Sequence, residues 1–215
     1  HAVACMVNAF YNTPTVSVPE HFIRAKIDWL ISISLIEIYG YHCWNGLGIY
    51  IDMREEDIDP YVPGIIGTSA VACALASYYK ATGNQRIPAI LRSVRYDLIR
   101  NYFQTTSGLS FFRYKPVTPP WKFTINASAI GAALLCIINQ TLGESEGLEK
   151  AEAAVSSIID VQEEDGHWKY TIDLKNQRHK EQCDFHQAYV IKALLDIRES
   201  KLLPLPLDNA IRRGL

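Results

Sequence analysis

Apolar residues in this chain come in helical runs, and their opening turns repeat. The runs GTSAVACALASYYKATGN from Gly67, NASAIGAALLCIINQTLGE from Asn126 and HQAYVIKALLDIRESKL from His186 align at a spacing of about sixty residues. Each opens on a small or polar residue, continues as a helix rich in small apolar residues, and closes in a turn. A second strip repeats in phase, RIPAILRSVRYDLIRNYFQ from Arg86 and GLEKAEAAVSSIIDVQEE from Gly147. A glycine-aromatic element follows each, Gly108 to Tyr114 and Gly166 to Tyr170. The pattern predicts hairpins pairing helices 1–11 with 20–38, 67–81 with 86–103 and 126–141 with 147–163. A helix from Asp184 to Arg198 opens a fourth, with Pro204 and Pro206 before its partner. Gly83 and Gly143 fall where helix C-caps are expected.

The two helices of each hairpin differ. Those at 67, 126 and 186 read as apolar on nearly every face, which predicts helices surrounded by protein. Their partners carry charge on one side, through Arg92, Arg95, Asp97 and Arg100 in one and Glu146, Glu149, Lys150 and Glu152 in the other. Buried inner helices alternating with amphipathic outer ones predict an all-α fold, an (α/α) toroid of the six-hairpin type. The expectation is one domain over residues 1–215, holding about three and a half hairpins. A TPR or HEAT solenoid fits less well, because its repeats are shorter. Both ends of the sequence lie inside helical patterns, so a longer protein truncated at both ends is expected, with the remainder of the toroid as partner.

Composition narrows the picture. With 48% hydrophobic and 20% charged residues, the chain has the make-up of an ordinary globular protein. A formal net charge of −2 gives no basic stripe for phosphates, which argues against nucleic acid as a partner. No apolar run reaches the length of a bilayer span, so no membrane span is expected. The five cysteines are scattered and lack a CxxC spacing. That reads as reduced structural thiols in a reducing compartment, with a cytoplasmic location and no metal site. Trp29 and Trp121 are expected in the core.

In a ring of parallel inner helices the N-termini gather at one mouth, where free N–H groups and the helix dipole suit oxygen-rich ligands. Gly67-Thr68-Ser69, Asn126-Ala127-Ser128 and Asp184-Phe185-His186-Gln187 open those helices. The same mouth receives Trp44, Phe111, Tyr114, Trp168 and Tyr170 from the loops. Aromatic platforms beside amide, carboxylate and imidazole groups match a sugar ring, with its apolar face and its fan of hydroxyls. Thr68, Ser69, Asn126 and Asp184 are equally good helix caps.

The stretch Gln162-Glu-Glu-Asp165-Gly166-His-Trp168 resembles the QxxDGxW pattern that closes outer helices in terpenoid cyclases. The acidic cluster those enzymes use for ionisation is absent. A closer resemblance spans residues 40 to 200, carried by Gly40-Tyr-His-Cys-Trp44, Gly67-Thr-Ser-Ala70, Asn126-Ala-Ser128, Asp165-Gly-His-Trp168 and Asp184-Phe-His-Gln187. Together they look like a family of six-hairpin toroid proteins found with bacterial and archaeal genes for cell-surface polysaccharide biosynthesis. Its members are similar in shape to unsaturated glucuronyl hydrolases, N-acylglucosamine 2-epimerases and the C-terminal part of glucuronyl C5-epimerases. The resemblance implies a carbohydrate-active protein acting on surface polysaccharide or its precursors as a hydrolase, lyase or epimerase, without a cofactor.

On that reading Asp184 is the candidate general acid and His186 the base or orienting group. Asn126 and Gln187 would hold sugar hydroxyls, while Trp44, Trp168 and Tyr170 would stack on the oligosaccharide or polysaccharide substrate. Asp165, or one of Asp57 and Asp59, would supply the second carboxylate of a glycosidase. The competing reading is a non-catalytic module that binds a glycan or a protein at the same mouth. A terpenoid or prenyl-processing enzyme is a third.

Overall fold

The computed structural model describes residues 1–13, 18–45, 61–181 and 185–215. It falls into two compact units, His1–Asp97 and Leu98–Leu215.

The first unit holds α1 (Ala2–Asn12), α2 (Glu20–Ser32), the short α3 (Ile36–Tyr39), α4 (Ile65–Thr82) and α5 (Ile87–Asp97). α1 packs against α2 and α4, and α4 against α5. α2 stops at Ser32 rather than running on to residue 38. The β-branched and hydroxyl run Ile31-Ser32-Ile33-Ser34 favours helix weakly, and Ser32 Oγ donates back to the Trp29 carbonyl at 2.8 Å. Trp29, expected in the core, is 47% exposed on α2. α5 departs from its expected pattern as well. Arg95 and Asp97, read as part of a solvated face, are buried.

The second unit begins where α5 ends. A π-helical turn (Leu98–Tyr102) takes the place of the last turn of the expected helix 86–103 and leads into the antiparallel pair β1 (Phe103–Thr106) and β2 (Leu109–Phe112). Then come β3 (Lys122–Thr124), α6 (Ile125–Leu142), α7 (Leu148–Asp160), β4 (Thr171–Asp173), β5 (Arg178–Lys180), α8 (His186–Ser200) and α9 (Leu207–Gly214). The sheet order is β3-β4-β5, all antiparallel, with Thr124 opposite Thr171 and Thr171 opposite Lys180. α6 packs against α7, β2, β3 and α8, and α9 completes a pair with α8. Trp121, expected in the core, is half-buried, with Lys175 Nζ 5.0 Å from its ring centroid.

Gly83 and Gly143 cap α4 and α6 in the left-handed conformation, as the sequence predicts. α6 meets the expectation of a helix surrounded by protein, buried on nearly every face. By length and apolarity α6 would suffice to cross a bilayer, contrary to the expectation that no run would, but 72% of it is buried within the protein, as in a core helix. α8 does not meet the expectation of an all-apolar helix. Its Lys192, Arg198 and Glu199 are exposed, and Lys192 Nζ pairs with Asp196 Oδ1 at 2.5 Å.

One local device recurs at the start of α4, α6 and α8. A polar side chain in the opening turns accepts the backbone N–H of an aromatic residue from the preceding loop. Trp44 N–H donates to Thr68 Oγ1 (3.1 Å), Phe112 N–H to Ser128 Oγ (3.2 Å), and Trp168 N–H to Gln187 Oε1 (3.2 Å). Both tryptophans also donate their indole N–H to a carbonyl near the end of an earlier helix, Trp44 to Leu30 in α2 (2.7 Å) and Trp168 to Ile158 in α7 (2.8 Å). Each loop is thereby fixed at both flanks, and a buried indole N–H is satisfied.

The Gln162–Trp168 stretch closes the second unit by seating α9. Gln162 Nε2 donates to the carbonyls of Gly166 (2.8 Å) and Ala210 (2.9 Å), and Arg213 reaches the carbonyls of Glu163 and Glu164. Gly166 has φ +91°, and a Cβ there would lie 1.8 Å from the Arg213 carbonyl oxygen, so only glycine fits. A Cβ on Gly214 would meet the Trp168 ring at 2.6 Å. The motif is accounted for by this packing.

Candidate functional site

The first helical turns are where side chains expected to act together can be compared. α6 starts at Ile125, with Thr124 as N-cap and no side-chain cap bond, so Asn126 sits inside the first turn and caps nothing. It is 3% exposed, and its Oδ1 has no hydrogen-bond partner among the described residues. A buried amide oxygen left unpaired costs about 1–3 kcal/mol. Ser69 Oγ, in the first unit, is likewise buried without a partner among the described residues.

The Ile125 N–H donates to the Tyr170 carbonyl at 3.2 Å, which brings the residue just before β4 against the start of α6. The Tyr170 ring in turn lies 4.6 Å from the His186 ring, at the first residue of α8. Phe185 stacks on His186 (4.9 Å, 19°) and meets Tyr189 edge-on (5.6 Å, 84°). Lys180 Nζ lies 5.3 Å from the Tyr170 centroid. Ile125, next to Asn126 at the start of α6, is thus tied to Tyr170, and Tyr170 to His186 at the start of α8. Asp184, the candidate acid, lies outside the described residues, as do Asp57 and Asp59.

Five other candidates are placed differently. Trp168 is fully buried and Trp44 is 3% exposed, so neither offers a ring face on which a sugar could stack. Phe111, also expected at the mouth, is buried against Phe123 at 4.8 Å. Gln187 has both ends of its amide committed, its Oε1 to Trp168 N–H and its Nε2 to the Gly214 carbonyl (2.9 Å). Each end of the amide thus makes a packing contact within the second unit. Asp165 sits in an exposed turn with its Oδ1 2.5 Å from His167 Nδ1. The hydrogen bond from the His167 ring holds its carboxyl below the usual carboxylate range, which makes it a poor proton donor near neutral pH.

Beside it, Glu181 is held low by the Lys169 ammonium at 2.7 Å and also lies near His167 and His179. This is an exposed ionic cluster bracing the β4–β5 hairpin against the 163–169 turn. Among the described residues no three His, Cys, Asp or Glu side chains are grouped as metal ligands would be. The sequence reading missed Phe185 and Tyr189. Their signal was present as two aromatics four residues apart at a helix start.

No family model and no curated protein matches the chain. Solved structures do. A glycoside hydrolase family 76 mannosidase from Bacteroides thetaiotaomicron aligns with TM-score 0.67 at 12% identity, over 99% of this chain and 56% of that one. A D-mannose isomerase aligns with TM-score 0.66 at 16% identity, over 98% of this chain and 55% of that one. A polysaccharide lyase aligns with TM-score 0.60 at 14% identity, over 98% and 56%. The fold is the (α/α) toroid of the six-hairpin enzymes. The chain spans about half the length of these structures. The toroid fold explains why α4, α6 and α8, the first helices of their pairs, share one opening device.

Proposed function

We propose that this chain belongs to a carbohydrate-active protein, one that acts on surface polysaccharide or its precursors and binds saccharide at the start of α6 and α8. The observation that carries the reading is the Tyr170–His186 contact against the start of α6, where the buried Asn126 amide oxygen has no partner among the described residues. An aromatic face beside amide and imidazole groups suits a ring that is apolar above and hydroxylated at its edge. The mannosidase, mannose isomerase and lyase that share the fold act by different reactions, so the fold supports a saccharide substrate without choosing among hydrolysis, isomerisation and elimination.

In this reading Asp184 is the general acid. It stands two residues before His186, which orients it or acts as base. The buried thiols fit a cytoplasmic location. Asp184→Asn tests the assignment in the full-length protein. Folding and oligosaccharide affinity are expected to persist while turnover is lost, because an amide cannot deliver a proton. Unchanged turnover would remove Asp184 from the mechanism.

One observation favours a second reading, a non-catalytic glycan-binding toroid. Asp165, a candidate second carboxylate, is tied to His167 in an exposed turn. Retained binding with no turnover by the parent protein on any saccharide tested would select that reading.

A further inference from the structure

The aromatic pair at the head of α8 is not used by the residues assigned above. Phe185 is 57% exposed and Tyr189 43% exposed, in a fold whose other phenylalanines include Phe111, Phe112 and Phe123 at 0%. Both lie on one stripe of α8 with Lys192, Asp196 and Glu199, spaced by three or four residues. The stripe is aromatic for a single turn and charged from there on, with Lys192 and Asp196 paired to each other. A face meant to pack against another helix would keep apolar residues along its length. Here the exposed apolar residues at the head of α8 are Phe185, Ala188 and Tyr189, and they are continuous with the site through the Phe185–His186 stack. The ordinary alternative is a local contact that merely steadies the helix start, worth about as little as any surface pair at this spacing.

We infer that Phe185 and Tyr189 form a second sugar subsite next to the one at Asn126, Tyr170 and His186, so that the ligand is an oligosaccharide of at least two residues rather than a free monosaccharide. The inference rests on the carbohydrate reading and adds the size of the ligand to it. The second ring lies against the exposed face of Phe185, with Tyr189 beside it, while the first occupies the Asn126 side. A planar face is required, because stacking uses the whole ring surface.

The test is calorimetric titration of the full-length protein with mannose, glucose, mannotetraose and cellotetraose, for the parent and for Phe185→Ala, Phe185→Leu and Tyr189→Ala. Phe185→Leu keeps an apolar contact with Tyr189 and removes the flat face. For a tetrasaccharide that the parent binds, all three variants are expected to weaken affinity about tenfold or more. Affinity for the matching monosaccharide should stay within about twofold of the parent for Tyr189→Ala, since Asn126, Tyr170, His186 and the Phe185 ring stacked on His186 are all retained. Parent-like tetrasaccharide affinity in Phe185→Leu and Tyr189→Ala would overturn the subsite and leave the first site standing. Equal loss for mono- and tetrasaccharide in Tyr189→Ala would also overturn it, by showing one site rather than two. A parent that binds none of the four sugars would contradict the carbohydrate reading itself, and the subsite with it.

Discussion

The turn around Trp168 and the first turn of α8 are built from similar parts. One has a tryptophan, a histidine and an aspartate, the other a phenylalanine, a histidine and an amide. In the Trp168 turn everything is turned inward or paired. The indole is buried and bonded to the Ile158 carbonyl, Gly166 lets the α9 backbone approach, and Asp165 is matched with His167. At the head of α8, two aromatic side chains stand in solvent, and the nearby Asn126 oxygen is buried without a partner among the described residues. The first region spends its polar groups on holding the fold. The second leaves a polar group unspent. Gln187 is the hinge of the comparison, since its side chain serves the Trp168 turn from within α8.

Three substitutions probe that contrast, and they should rank in effect. Trp168→Ala should be the most damaging, removing a fully buried side chain and its hydrogen bond for a loss of about 3–5 kcal/mol in denaturant unfolding. A loss below about 1 kcal/mol would mean that the indole is not the anchor of the turn. Gln187→Ala should cost about 1–3 kcal/mol, because the Trp168 N–H and the Gly214 carbonyl both lose a partner. The loss should leave saccharide affinity nearly unchanged. A strong fall in affinity at unaltered stability would return Gln187 to the binding residues. The smallest stability effect is expected at Asn126, and it should have the opposite sign.

Periodicity in the sequence was enough to define the hairpins, the glycine caps and the toroid, because a repeated apolar pattern constrains burial directly. It also grouped the openings of α6 and α8, where the Tyr170 carbonyl meets Ile125 and the Tyr170 ring meets His186. It could not tell a spent side chain from an unspent one. Gln187 and Asn126 are both amides in opening turns, and only their tertiary partners separate them. Trp44 and Trp168 look like platforms for a ligand, because aromatic residues in polar loops do so often serve. Their indole N–H bonds go to carbonyls 14 and 10 residues earlier, in helices already folded back against the loop. Arg95 and Asp97 misled for the same reason. Charge on an amphipathic helix normally faces water, yet tertiary packing has buried both.

The account depends most on the claim that Asn126 is kept for a ligand. Asn126→Ala in the full-length protein tests it through stability and saccharide affinity measured together. Removing a buried oxygen that has no partner among the described residues, and gaining helix propensity, should raise stability by about 0.5–1 kcal/mol. Affinity for the tetrasaccharide that the parent binds should fall about tenfold or more at the same time, since a sugar hydroxyl loses its partner. A stability gain bought with binding is what a functional group at odds with the fold would show. Lower stability with unchanged affinity would contradict the account, because Asn126 would then be one more structural amide.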